Sequence, residues 1–159
     1  MRRQRGRFAS ECAMHAEEAA IDSFLQKHHP SLSVTDLKKD SRKLRRYNAR
    51  KKKGKMVRKD LTMVVLGEYK GDNIRIMCSK PCLHCTLLMV QLKRYRLCNL
   101  SRVCYRQGPA GSRCFVSQSL RSLCQDHLDS PIVSRRHKAL SPRTLTSWLD
   151  LLQKFINET

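Results

Sequence analysis

The stretch Ser79-Lys80-Pro81-Cys82-Leu83-His84-Cys85-Thr86-Leu87-Leu88-Met89-Val90-Gln91-Leu92 decides how this chain is read. Proline is favoured in the first turn of a helix, where its missing N–H has no partner to lose. Pro81 therefore opens an apolar helix expected from Cys82 to about Leu97. Two cysteines three apart at the start of a helix point their sulfurs the same way. The helix dipole and the free backbone N–H groups there favour thiolate, the form of cysteine that binds metal.

The flanking sequence supplies strands and further helices. Upstream, Leu61 to Leu66 and Ile74 to Cys78 are β-rich runs joined through Lys70-Gly71-Asp72-Asn73, which reads as a hairpin turn. Downstream, Leu100 to Tyr105 reads as a third strand, followed by a turn at Gly108-Pro109-Ala110-Gly111. Cys114 to Val116 adds a short fourth strand and Ser119 to Leu128 a short helix. Ser10 to Gln26 forms the first helix, with Ser10 as cap and Ala13, Ala16, Ala20, Ile21, Phe24 and Leu25 at helical spacings, ended by Pro30. Ser141-Pro142 starts a last helix whose Leu145, Trp148, Leu149, Leu152 and Ile156 form one apolar stripe. The expected organisation is a basic tail (1–9), an α/β domain (10–138) carrying a basic insertion at about 36–59, and a C-terminal amphipathic helix (139–159).

Charge is the outlying quantity in the 159 residues: 33 Lys and Arg against 13 Asp and Glu, a formal +20. No apolar run is long enough to span a membrane, and the basic N-terminus leads into no apolar stretch, so an intracellular, unsecreted protein is expected. From Lys38 to Lys59 there are thirteen Lys and Arg and one acid, Asp40. Such a tract, thinly anchored by Leu37, Leu44, Tyr47, Met56 and Val57, is expected to be an exposed loop or frayed helix. With Arg2, Arg3, Arg5 and Arg7 of the tail, its Arg45, Arg46, Arg50, Lys51, Lys52, Lys53 and Lys55 are the residues expected to meet nucleic acid or another polyanion. The alternative is a solvated face serving solubility, for which mixed signs would have sufficed.

The second chemical motif is His15-Ala16-Glu17. One imidazole and two thiolates, from His15, Cys82 and Cys85, give zinc three protein ligands and leave the fourth tetrahedral position open for water. Glu17, two residues beyond His15, is placed to move protons rather than to hold metal. The other six of the eight cysteines are read as reduced thiols: Cys98, Cys104, Cys114 and Cys124 sit among apolar residues, and Cys12 and Cys78 are read as packing groups. His84 is read as a bystander between the cysteines, His28-His29 as a solvated cation pair at a helix end, and His127 and His137 as surface residues. A thiol-redox site or a zinc ribbon are the remaining alternatives; a ribbon would want a second cysteine pair, and Cys98 and Cys104 are too far apart.

His15-Ala16-Glu17 followed by Pro81-Cys82-Leu83-His84-Cys85 resembles the H-x-E…P-C-x-x-C signature of the zinc-dependent cytidine and deoxycytidylate deaminase superfamily. Cys12 to Ile21 looks like that family's first metal helix, and Leu100 to Tyr105 like the strand after the second. With the later Ile132-Val133-Ser134-Arg135, the sequence is most similar to deaminase-like proteins of large DNA viruses and some eukaryotic microbes. The resemblance covers about residues 8 to 137. It implies a three-layer α/β/α fold with a small mixed sheet, here N-terminally shortened and extended by the C-terminal helix. It also implies a zinc-dependent hydrolase that deaminates a cytosine or adenine base of a nucleotide or nucleic acid, with Glu17 as general acid and base. A different class of function stands beside it: a non-catalytic, zinc-binding, deaminase-fold component of a large nucleoprotein assembly, such as a virion or ribonucleoprotein, whose partners would include the assembly's other proteins.

Overall fold

The structure, a computed structural model, describes residues 16–51, 60–65, 80–106, 115–133 and 140–159. The described chain is mixed α/β. Its elements are α1 (Ala16–His28), α2 (Val34–Lys39), α3 (Arg42–Lys51), β1 (Asp60–Val65), α4 (Leu83–Arg94), β2 (Asn99–Arg106), β3 (Phe115–Ser119), α5 (Leu120–Asp129) and α6 (Pro142–Glu158). The strands form one sheet in the order β1-β2-β3 among the described residues. β1 and β2 run parallel, with Met63 opposite Val103 and Val65 opposite Tyr105. Parallel neighbours need a crossover connection, and the chain between β1 and β2 contains α4. β3 returns antiparallel along β2, with Tyr105 opposite Val116 and Arg102 opposite Ser119. The sheet is therefore mixed, as expected.

Helix α4 is the centre of the molecule. Every residue from Leu83 to Leu92 is buried, and Leu87, Leu88, Met89 and Val90 are fully so. A helix that is apolar on all sides must be enclosed on all sides. Here α1, α2, α5, α6 and β2 all pack against it. Its buried Gln91 is satisfied: Nε2 donates to the Leu37 carbonyl at 3.1 Å, and Oε1 accepts from Arg94 at 3.0 Å. The helix stops three residues short of the expected Leu97. Arg96 turns into the left-handed region (φ 55°), and the Leu97 N–H then bonds back to the Leu92 carbonyl at 2.9 Å, which turns Leu97 into the core.

Strand β1 and helices α5 and α6 lie where the hydrophobic periods put them. Ser119 caps α5 by accepting from Ser122 N–H at 3.1 Å, and Ser141 caps α6 by accepting from Thr144 N–H at 3.2 Å. The fourth expected strand is longer than the sequence suggested, reaching Ser119 because its pairing with β2 continues to that residue. The stripe of α6 is seated on the core, with Leu152 fully buried and Phe155 and Ile156 nearly so. The expected strand 74–78, the turns at 70–73 and 108–111, the Ser10 cap and Cys12, Cys78, Cys114 and His137 lie outside the described residues.

The basic tract differs from expectation. Of the two expected forms, exposed loop or frayed helix, residues 38–51 are mostly helical, in α2 and α3, and are capped and anchored rather than frayed. The reason is local and specific. Ser33 and Asp36 form a capping box at the start of α2. Ser41 Oγ accepts from the Leu44 N–H at 3.1 Å and so caps α3. Asp40 makes the bend between the two helices in the left-handed region (φ 49°), which Asp tolerates better than most residues, and its carboxylate takes a bond from the Tyr95 hydroxyl and another from Arg45 at 3.0 Å. Leu37 and Leu44 are both fully buried. Two leucines and three caps outweigh the charge. His29 completes the anchorage. It is buried, not solvated: Nε2 donates to the Leu97 carbonyl at 3.1 Å, and Nδ1 lies 2.7 Å from the Tyr47 hydroxyl of α3.

Leu44→Ala should accordingly destabilise the protein by about 2–5 kcal/mol, as for other fully buried leucines, read from urea unfolding midpoints. An exposed loop at this position would show a change within about 0.5 kcal/mol.

Candidate metal and active site

The site forms where the first turn of α1 meets the start of α4. Cys82 is the N-cap residue of α4, with extended backbone (φ −69°, ψ 169°), so its carbonyl accepts the Thr86 N–H at 2.9 Å while its side chain stays outside the helix. Cys85 follows within the first turn, fully buried. From α1, Glu17 reaches across: the Cys85 thiol donates to Glu17 Oε2 at 3.9 Å, joining residues 68 apart in sequence. Thus the structure brings Glu17, Cys82 and Cys85 together. The third expected ligand, His15, lies outside the described residues, as do Arg2, Arg3, Arg5, Arg7, Lys52, Lys53 and Lys55. Among the described residues no group of three His, Cys, Asp or Glu side chains is arranged to hold a metal ion.

The electrostatics of this corner are lopsided. Two thiols and two carboxylates, Glu17 and Glu18, are buried within reach of one another. Contact with the Cys82 sulfur, then burial, then the charges of Cys82, Glu17 and Glu18 push the Cys85 thiol far above the ordinary range. One balancing cation comes from α2: Lys38 Nζ donates to Glu18 Oε1 at 3.3 Å. His84, almost fully buried, places Nδ1 3.8 Å from Glu18 Oε2 and stacks its ring against Trp148 of α6, with centroids 5.5 Å apart. A divalent ion among the thiols would reverse this balance, because it stabilises thiolate outright. Among the described residues the donors at this corner that suit zinc are the two sulfurs of Cys82 and Cys85.

His127 supports the turn that carries the cysteines, and its role was not foreseen. It is fully buried, where a surface position was expected. The Ile132 N–H donates to its Nδ1 at 3.3 Å, so the ring proton sits on Nε2, which lies 3.0 Å from both the Pro81 carbonyl and the Thr86 hydroxyl. One imidazole thus ties both sides of Cys82 to the 127–132 segment, and the Leu83 N–H bonds to the Ile132 carbonyl at 2.8 Å beside it. The signal was present in the sequence: Leu120, Leu123, Cys124 and His127 share one stripe of α5 by their spacing, and all four are buried. Next to this tie, Lys80 Nζ donates to Asp126 at 2.7 Å, Gln118 donates to the same oxygen at 2.6 Å, and the Tyr105 hydroxyl donates to Gln118 at 2.8 Å. The lysine, first, and Gln118 hold the Asp126 carboxyl below its ordinary value.

Of the residues expected to meet a polyanion, Arg45, Arg46 and Arg50 lie on α3 and are exposed, as are their neighbours Arg42 and Lys43. They lie toward the far end of α4, because Asp40 is bound to Tyr95, the C-cap of that helix, about 18 Å along its axis from the Cys82 end. The structure thus separates the basic helix from the cysteines. Comparison with protein families, with curated proteins and with solved structures finds no match.

His127 gives this corner a pH dependence. Burial first, and the Lys80 charge after it, lower its pKa from 6.5 to about 4, against the opposing pull of the Pro81 carbonyl and Asp126. Above pH 6.5 the ring is neutral in both folded and unfolded chains. Between pH 6.5 and 4 the unfolded chain takes up a proton that the folded one refuses, so stability falls with falling pH by up to about 3 kcal/mol. His127→Gln should remove this part of the slope, measured as urea midpoints of both proteins across that window. Identical slopes would contradict the buried neutral imidazole.

Proposed function

We propose that this protein is a zinc-dependent deaminase-type hydrolase acting on a cytosine or adenine base of a nucleotide or nucleic acid. The observation that carries the reading is the meeting of the Glu17 carboxylate with Cys85, one turn of α4 from Cys82. His15, Cys82 and Cys85 would hold the zinc, which supplies a Lewis acid able to make water ionise near neutral pH. Glu17 would be the general acid and base, delivering a proton to the ring nitrogen and to the departing amino group. Burial of Glu17 in the first turn of α1 excludes bulk water from the carboxylate and keeps the transfer local. His127 and Ile132 position the thiols through the backbone on either side of Cys82. The reading includes the three-layer deaminase fold, of which the mixed sheet and the enclosed α4 are the supporting parts.

One observation favours the second reading, a zinc-binding structural component of a nucleoprotein assembly. Cys85 is fully buried, Glu17 is 8% exposed and Glu18 3%, a tighter enclosure than a base entering the site requires.

The test is zinc content together with deamination of cytosine and adenine in free nucleotides and in oligonucleotides. The enzyme reading expects one zinc per chain, and a Glu17→Gln variant that keeps the metal and loses activity by at least about a hundredfold. Zinc without activity in the unmodified protein would favour the assembly component. Purified protein without stoichiometric zinc would overturn both.

A further inference from the structure

We propose that the ridge Arg42–Arg46–Arg50 on the solvent face of α3 is a sequence-independent docking surface for a nucleic-acid backbone. The proposal rests on the nucleic-acid part of the functional reading and assigns the contact to three residues of the basic tract.

The argument begins with what the fold does with the charges of α3. Lys43 lies 3.8 Å from Asp36, and Arg45 bonds Asp40 at 3.0 Å, so each of these two has a partner inside the protein. Arg42, Arg46 and Arg50 have no acidic partner among the described residues, and all three are exposed. They are spaced i, i+4, i+8, so they stand in one row about 6 Å apart along the axis. The opposite side of the helix is fixed by fully buried Leu44 and by Tyr47 against His29, which leaves the row no freedom to turn inward.

This arrangement works against the helix that carries it. Like charges at i, i+4 destabilise a helix by a few tenths of a kcal/mol per pair. The first turn holds Arg42, Lys43 and Arg45 and no acid, so cations sit at the positive end of the helix dipole, where anions are favoured. Asp36 and Asp40 answer Lys43 and Arg45, but no acid among the described residues answers Arg42, Arg46 or Arg50. A row of phosphates offsets both costs, since it places anions beside each guanidinium and near the N-terminal turn. Arginine presents a planar fork of donors to phosphate oxygens, and here the forks are carried on a rigid helix. Because the row lies toward the opposite end of α4 from the cysteines, it grips the polymer at a distance from the candidate site and leaves that site's chemistry untouched.

The experiment compares two triple variants of equal charge change. One is Arg42→Gln/Arg46→Gln/Arg50→Gln; the other is Arg121→Gln/Arg143→Gln/Lys154→Gln, which removes exposed cations from α5 and α6. Binding to a mixed-sequence DNA oligonucleotide, single-stranded and duplex, is measured across a series of salt concentrations. The ridge variant should lose about 2–3 from the slope of log affinity against log salt, on every sequence alike, as expected for three phosphate contacts. The control variant should keep the slope. The ridge variant should also melt no lower than the unmodified protein and keep the same zinc content, which separates this result from failure of the metal site. Equal loss of slope in both variants would overturn the proposal by showing a response to net charge alone. An unchanged slope in the ridge variant would overturn it directly. Binding of poly-glutamate with the same affinity and the same sensitivity to the ridge would overturn it in favour of an acidic protein partner.

Discussion

The enclosure of α4 is the constraint on which the rest of the structure depends. A helix with leucine, methionine and valine on every side has no face to give to water, so its burial fixes the positions of α1, α2, α5, α6 and β2 together. Each fully buried aliphatic side chain contributes about 1.5–3 kcal/mol. The start of the helix is thereby placed at one definite point against α1. The Glu17–Cys85 contact follows from that placement: α1 lies along α4, and the first turns of both helices meet at the same end.

Polar groups inside this apolar frame do the positioning. Gln91 holds α2 by its last turn, His29 joins α1 to α3 and to the chain after α4, and His127 holds the Pro81–Thr86 turn. In each case a buried donor or acceptor meets a backbone carbonyl or a hydroxyl, which avoids the cost of an unsatisfied buried group. The C-terminal helix joins the same frame through Trp148 on His84 and through Leu152 and Phe155 on the core. The exposed arginines of α3 are the exception: Arg42, Arg46 and Arg50 take no part in this frame and have no acidic partner among the described residues.

Much of the fold was legible in the sequence, for physical reasons that can be named. Pro81 marked the start of α4, the largely apolar run after it marked its burial, and the run from Leu100 to Tyr105 and the stripe from Leu145 to Ile156 marked β2 and α6. The nearness of Glu17 to Cys82 and Cys85 was suggested by the two motifs taken together, since local spacing alone does not relate segments so far apart in sequence. Whether 38–51 was loop or frayed helix stayed open, because composition underweighted the anchors Leu37 and Leu44, and capping by Ser33, Asp36 and Ser41 is a signal of single residues rather than of averages. The buried histidines were missed for a related reason: their fate depends on a partner distant in sequence, Leu97 for His29 and Pro81 for His127. Glu18 was overlooked, and His84 was read only as a bystander, because motif spacing singles out residues whereas burial treats neighbours alike.

The central claim is that the meeting of α1 and α4 is a zinc site with two thiolates and one imidazole. X-ray absorption at the zinc edge of the purified protein tests it most directly. The account predicts two sulfur neighbours at about 2.3 Å and nitrogen or oxygen neighbours at about 2.0–2.1 Å, with the sulfur shell lost in a Cys82→Ser/Cys85→Ser variant. A zinc shell made of nitrogen and oxygen alone, or a sulfur shell that survives loss of both cysteines, would contradict it.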